Sequence, residues 1–178
     1  VPNRDVSMIP AGGFQELYSA MEKRTIAGAL FGPPILTLLK NKGYRELMDL
    51  SSLGIETQHT GAVAQRALAK NNPDLVRRYV KSYVEGIHLL KTDREFSIKV
   101  ISKYTKITSR SVLDDAYNFY AVNYIRKVPM PSVAGVKTIL EQMGLKDSRA
   151  KTANPDDFVD SRYIDELEKS GFLRNLYK

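Results

Sequence analysis

Apolar positions follow two rhythms along this chain, and the change comes near residue 72. Before it, short apolar runs alternate with helical stripes. Val6-Ser7-Met8-Ile9 reads as a short strand, stopped by Pro10 and the Gly12-Gly13 pair. Phe14, Leu17, Tyr18 and Met21 then recur at the i, i+3, i+4, i+7 spacing of one helix face. Ile26 to Phe31 is a run of small and apolar residues suited to a buried strand, ended by Gly32-Pro33-Pro34. Ile35 to Lys42 reads as a helix closed by Gly43. Ile55 to Ala64 has extended character, with Thr57, Thr60 and Val63 around Gly61. A strand, helix, strand, helix order predicts an α/β layer with parallel pairing. Two strands cannot build a parallel sheet buried on both faces. The expectation is therefore an incomplete sheet, its edge covered by another copy of the chain or by a separate N-terminal piece.

After residue 72 the period is helical almost to the end. Asn72-Pro73 is a cap followed by an N1 proline. Val76, Tyr79, Val80, Tyr83, Ile87 and Leu90 form the stripe of that helix, with Arg77, Arg78 and Lys81 off it. Thr92 and Glu95 have the spacing of a capping box, opening a helix whose face is Phe96, Val100 and Tyr104. Another helix starts near Ser111 and carries Leu113, Ala116, Tyr117, Tyr120 and Tyr124 along one side. Val128-Pro129-Met130-Pro131 is extended, because proline disfavours helix in the residue before it. Val133, Val136, Ile139, Leu140 and Met143 predict a helix ending at Gly144. Tyr163, Ile164 and Leu167 predict another, broken at Gly171 before Phe172, Leu176 and Tyr177. Tyr79, Tyr83, Tyr117, Tyr120 and Tyr124 thus read as core side chains with their hydroxyls at the edge.

Charge adds one rival reading. The chain of 178 residues carries a formal charge of +7, and the excess falls entirely in 62–127, where thirteen Lys and Arg face six Asp and Glu. That span also holds six of the ten tyrosines, so a basic helical protein that binds nucleic acid is the alternative. Its basic side chains, Arg77, Arg78, Lys81, Lys99, Lys103 and Lys106, are spread over several helices and read more simply as solvated faces. No cysteine is present, which excludes disulfides, thiolate metal sites and a cysteine nucleophile. His59 and His88 are too far apart for a local metal motif, and His88 reads as a surface residue. No phosphate-binding loop, nucleophile elbow or zincin motif occurs, and no cofactor is implied. The longest apolar stretch, Ala29 to Leu39, is interrupted by Gly32, Pro33 and Pro34 and falls short of the ~18 residues of a membrane span. Val1-Pro2 does not open a signal peptide.

Four segments, in order, carry a resemblance: IPAGGFQELYSAMEKRTIAGALFGPP, YRELMDLSSLG, NNPDLVRRYVKSYVEGIHLLKTD and NPDDFVDSRYIDELEKSGFLRNLY. Together they resemble the substrate-binding proteins of ABC importers in the sulfonate, taurine, nitrate and thiamine-precursor group. The match covers the second half of such proteins. The resemblance implies a two-lobed, type II periplasmic binding fold with a hinge that closes over a ligand in the cleft. It assigns residues 1–54 to the distal half of lobe two, 55–65 to a hinge-crossing strand and 66–178 to helices bracing lobe one. It also implies a periplasmic or membrane-anchored extracytoplasmic location, a small anionic or heteroaromatic solute, and the importer's membrane permease as partner. No catalysis is implied. An enzyme akin to the thiamine-pyrimidine synthases, which share that fold, is the third reading; the cysteine-rich motif of those enzymes has no counterpart here.

Three glycine-bearing breaks are the candidate ligand contacts. Gly12, Gly13 and Phe14 form a turn into a helix, where glycine lets backbone approach a ligand and free N–H groups attract anions; a plain tight turn is the alternative. Gly32 and Pro33 end the second run, either at a cleft rim or as a rigid terminator. His59, Thr60 and Gly61 lie in the extended segment, where a hydroxyl and an imidazole could donate to an oxyanion; an ordinary surface histidine is the alternative. The carboxylates Asp156, Asp157, Asp160 and Asp165 read as helix-start and surface charge.

Overall fold

The computed structural model of the protein describes residues 4–178; its regular structure is helical, with no β-strand among the described residues. The helices are α1 (Phe14–Glu22), α2 (Ile35–Asn41), α3 (Arg66–Asn71), α4 (Pro73–Thr92), α5 (Arg94–Thr105), α6 (Arg110–Tyr117), α7 (Val133–Met143), α8 (Ser148–Thr152), α9 (Arg162–Lys169) and α10 (Phe172–Leu176). Short 3₁₀ turns lie at Leu50–Leu53 and Pro155–Phe158, and a π-helix covers Asn118–Tyr124.

The expected α/β layer with an incomplete parallel sheet is therefore corrected to an all-α architecture. Residues 7–9, 28–32 and 55–59 have no regular structure, and Met8, Ile9, Leu30 and Ile55 are exposed. The physical reason is that an extended run becomes a strand only when another backbone accepts and donates its hydrogen bonds. Among the described residues, 7–9, 28–32 and 55–59 join no such ladder, an isolated bridge at Val6 is not extended, and Met8, Ile9, Leu30 and Ile55 stay exposed to water. The hinge-crossing strand at 55–65 falls with the sheet.

The chain divides into two compact units: the segment up to Leu47 with Ile98–Phe119, and Met48–Ser97 with Tyr120–Lys178. In the first, Met21 of α1, Leu39 of α2, Ile98 of α5 and Val112, Leu113, Ala116 and Tyr117 of α6 are buried. Tyr44 donates its hydroxyl to the Met21 carbonyl at 2.8 Å, and Lys42 pairs with Glu22, so the end of α2 is tied back to α1. Thr37 of α2 bonds Asp115 of α6. Gly43, at φ +87, closes α2 as predicted.

In the second unit α4 starts at the Asn72-Pro73 signal, and Val84, with no exposed surface, packs with Ile164 and Leu167 of α9 and Leu173 of α10. Gly171 takes φ +76 at the break between α9 and α10. Two expectations about faces are corrected. Tyr79, Tyr83, Tyr120 and Tyr124 are exposed, and of the tyrosine series only Tyr117 is buried. The π-helix winds more residues per turn, so Ala121 takes the buried position that a regular helix would give to Tyr120 or Tyr124. The cap of α5 is Asp93, whose carboxylate accepts from the Phe96 N–H at 3.0 Å, while the Thr92 hydroxyl is spent on the His88 carbonyl.

Arg77 of α4 bridges Glu166 of α9 at 2.8 Å and also pairs with Asp74. This bridge gives the unit an acid sensitivity. Arg77 holds the Glu166 carboxyl below its ordinary value of 4.5, chiefly by hydrogen bonding. The unfolded chain then binds a proton at Glu166 where the folded one does not, so this stabilisation is complete above about pH 5 and is lost as pH falls through the lowered folded value. Urea unfolding at pH 5.5 and pH 3 is expected to show a smaller loss of midpoint in Glu166→Gln than in the wild type. The difference is small because the pair is exposed.

Candidate functional site

The first unit contains a groove of about 420 Å³ between three elements. Phe14 and Tyr18 of α1 form one wall, Ile35 and Leu38 of α2 the second, and Tyr104 with Ile107 the third. Gln15, Pro34 and Thr105 complete the lining. Each wall has a local cause. Phe14 and Tyr18 share a helix face at i, i+4 spacing. The turn at Gly32-Pro33-Pro34, with Pro33 buried, starts α2 so that Ile35 and Leu38 face α1. Lys106, at φ +62, ends α5 with its N–H on the Ser102 carbonyl at 2.8 Å, and this left-handed residue turns Ile107 back beside Tyr104.

Of the predicted contacts, Phe14 lines the groove; Gly32 and Pro33 do not, although Pro34, which follows them, does. Gly12 and Gly13 precede Phe14 but serve another purpose. Gly12 has φ +90, and Glu16 folds back across the turn: a Cβ on Gly13 would stand 3.0 Å from Glu16 Oε2. The α1 N-terminus thus already has a carboxylate beside it, which lowers its appeal for a free anion. His59, Thr60 and Gly61 lie in the other unit, all exposed, with His59 Nδ1 3.0 Å from Thr60 Oγ1. Their neighbour Gln58 accepts the Ser132 N–H at 2.9 Å and donates to the Thr60 carbonyl at 2.9 Å, so this segment is lashed to the start of α7.

A second hollow, of about 440 Å³, runs along α1 from Gln15 to Thr25. One helix and its own following turn form it, so no opposing wall can enclose a solute. Beside the main groove, Lys42 lies 5.4 Å from the centre of the Tyr18 ring. Its bonds to Glu22 and Tyr18 raise its pKa and keep it charged, but Glu22 also neutralises it. What remains is an apolar groove edged by an amide and two phenols, suited to a small organic body with a few polar groups.

The basic helices offer less than their sequence suggests. Arg77 is held by Glu166 and Asp74, and Lys81 lies over the Phe172 ring at 4.8 Å. Lys91 donates to the Ala121 carbonyl at 2.6 Å, and burial, helped by Lys127, lowers its pKa. His88, expected on the surface, is half-buried, edge-on to Tyr177 at 5.0 Å.

Sequence reasoning missed Tyr104, Ile107 and Lys42 as neighbours of the groove. The helical period puts Tyr104 on a core face, and nothing in the letters marks Lys106 as left-handed. No family model matches the chain, and no curated protein or solved structure matches it. Among the described residues no helix is long and apolar enough to cross a membrane.

Proposed function

We propose that this chain captures a small organic solute for delivery to a membrane permease, as the extracytoplasmic solute-binding component of an ABC importer of the sulfonate, taurine, nitrate and thiamine-precursor type. The resemblance of four ordered segments supports this reading, and one structural observation carries it: Phe14 and Pro34, each at the end of a glycine-bearing break and distant in sequence, line a single groove. The groove favours the heteroaromatic class over a bare anion. A nitrate ion needs converging donors, and the helix N-terminus that could supply them is shadowed by Glu16. A planar ring can instead lie between Phe14, Ile35 and Tyr104, with its polar edge toward Gln15 and the phenols. The nucleic-acid alternative rests on Arg77, Arg78 and Lys81, and of these Arg77 is held by Glu166 and Asp74 and Lys81 lies over the Phe172 ring, which leaves Arg78 alone.

Isothermal titration with nitrate, taurine, an aromatic sulfonate and an aminopyrimidine tests the proposal. One of the ring compounds is expected to bind one to one, and Phe14→Ala or Ile35→Ala to weaken it by roughly ten- to a hundredfold, the loss from about 1.5–3 kcal/mol of apolar contact. Thr60→Val is expected to bind within about twofold of wild type, since it removes at most one hydroxyl contact and its side chain lies in the other unit. Failure of every compound to bind, or equal binding by both groove variants, overturns it.

A further inference from the structure

Helix α4 has two apolar sides, and only one is used. At 100° per residue Leu75 lies opposite Val84, the most buried side chain of the unit. The outward side carries Leu75, Tyr79, Ser82, Tyr83, Gly86 and Leu89, a stripe about 22 Å long at 1.5 Å per residue. Leu75 is 48%, Tyr79 57%, Tyr83 38% and Leu89 41% exposed. The rings of Tyr79 and Tyr83 stack on one another, centroids 6.4 Å apart and planes 13° from parallel. Above Gly86 there is open space, with nothing within 4 Å of where a Cβ would sit. Charges flank the stripe on one side, Arg78 and Glu85, and neither makes an ion pair among the described residues.

We propose that this outward face of α4 pairs with the same face of a second copy of the chain, antiparallel about a two-fold axis at Ser82. The register follows from the stripe's own order. Reversal about Ser82 sets Leu75 against Leu89 of the other copy, brings the bulky Tyr79 within one residue's rise of the gap at Gly86, and brings Tyr83 beside its own copy near the axis. The same reversal brings Arg78 within one residue's rise of Glu85 on the same flank, twice. Leucine meets leucine, Tyr79 comes near a glycine, Tyr83 its own ring, and Arg78 the opposite charge of Glu85, the self-complementarity that a two-fold interface requires. A parallel pairing fails this test: Arg78 and Glu85 of the two copies would lie on opposite sides of the seam, and Gly86 would face Gly86 across an empty gap. Glycine at the crossing admits the 8–10 Å interaxial distance of packed helices. This pairing needs no sheet edge and is independent of the solute reading.

The absence of cysteine makes the test direct. Sedimentation equilibrium over low to high micromolar concentration should show a reversible dimer of about 40 kDa, twice the 20.1 kDa chain. Under mild oxidation Ser82→Cys should cross-link to itself, and Lys137→Cys, on the exposed side of α7, should not. Arg78→Glu should weaken the dimer by roughly tenfold or more, and the double exchange Arg78→Glu with Glu85→Arg should restore it. Circular dichroism on each variant checks that the helices are intact. A monomer at all concentrations would mean that another partner or none covers the face, and overturns the proposal. So does equal cross-linking at both cysteines, or a double exchange that fails to rescue.

Discussion

Val84→Asp is expected to unfold the second unit. Val84 has no exposed surface and packs against Ile164, Leu167 and Leu173, so the new carboxylate would be ionised against apolar walls or protonated at a cost. Either route costs more than about 4 kcal/mol, a large share of the stability of an ordinary domain. Because the chain has two units, one melting temperature is a poor measure of this loss. Hydrogen exchange resolves it: amides of 80–91 and 163–176 should lose protection in the variant, while those of α6 keep it. The milder Val84→Ala, which removes two methyl groups, should cost about 1.5–3 kcal/mol and keep the unit folded. Near-wild-type protection in Val84→Asp would mean that α9 and α10 are not held by α4.

Gly135→Ala should destabilise the same unit, against the ordinary preference of a helix. In an open helix interior alanine gains about 1 kcal/mol over glycine. Here a Cβ would fall 2.6 Å from the Gln58 backbone N and 2.9 Å from the Thr57 carbonyl carbon. Those are main-chain atoms held in place by the Gln58–Ser132 bond, so they cannot swing aside as a flexible side chain would. Overpacking of this kind costs about 1–3 kcal/mol and outweighs the helix gain. Urea unfolding monitored on 55–60 and α7 should show a lower midpoint for Gly135→Ala. Gly86→Ala, with nothing near its Cβ, should be neutral or stabilising in the monomer. A stabilised Gly135→Ala would mean that segment 55–60 does not lie on α7.

Much of the helical framework was legible because its signals are local. Asn72-Pro73, Gly43 and Gly171 mark ends by backbone chemistry that no neighbour overrides. The strands were misread for the complementary reason. Runs such as Ile26–Phe31 state a preference for extended backbone, but a strand also needs a partner, and short apolar runs do not specify one. Faces were legible only in part. Helix α4 is apolar on two sides, so its period could not say which side meets α9, and Tyr79 and Tyr83 were placed inside. The shift that buries Ala121 comes from the π-helix, for which the sequence carries no marker. For the site, glycine and proline breaks located the turns at 12–14 and 32–34. The third wall depends on the left-handed turn at Lys106, and Gln58, which holds the Thr60 carbonyl, is itself bonded to Ser132, far along the chain.

The claim that a solute sits between α1, α2 and the end of α5 is tested most directly by an ¹⁵N–¹H titration with the ring compound that binds in calorimetry. Amides of Phe14, Gln15, Tyr18, Leu38, Tyr104 and Ile107 are expected to shift together and saturably, with those of 57–61 unmoved. Shifts centred on His59-Thr60-Gly61, or scattered without saturation over both units, would contradict it.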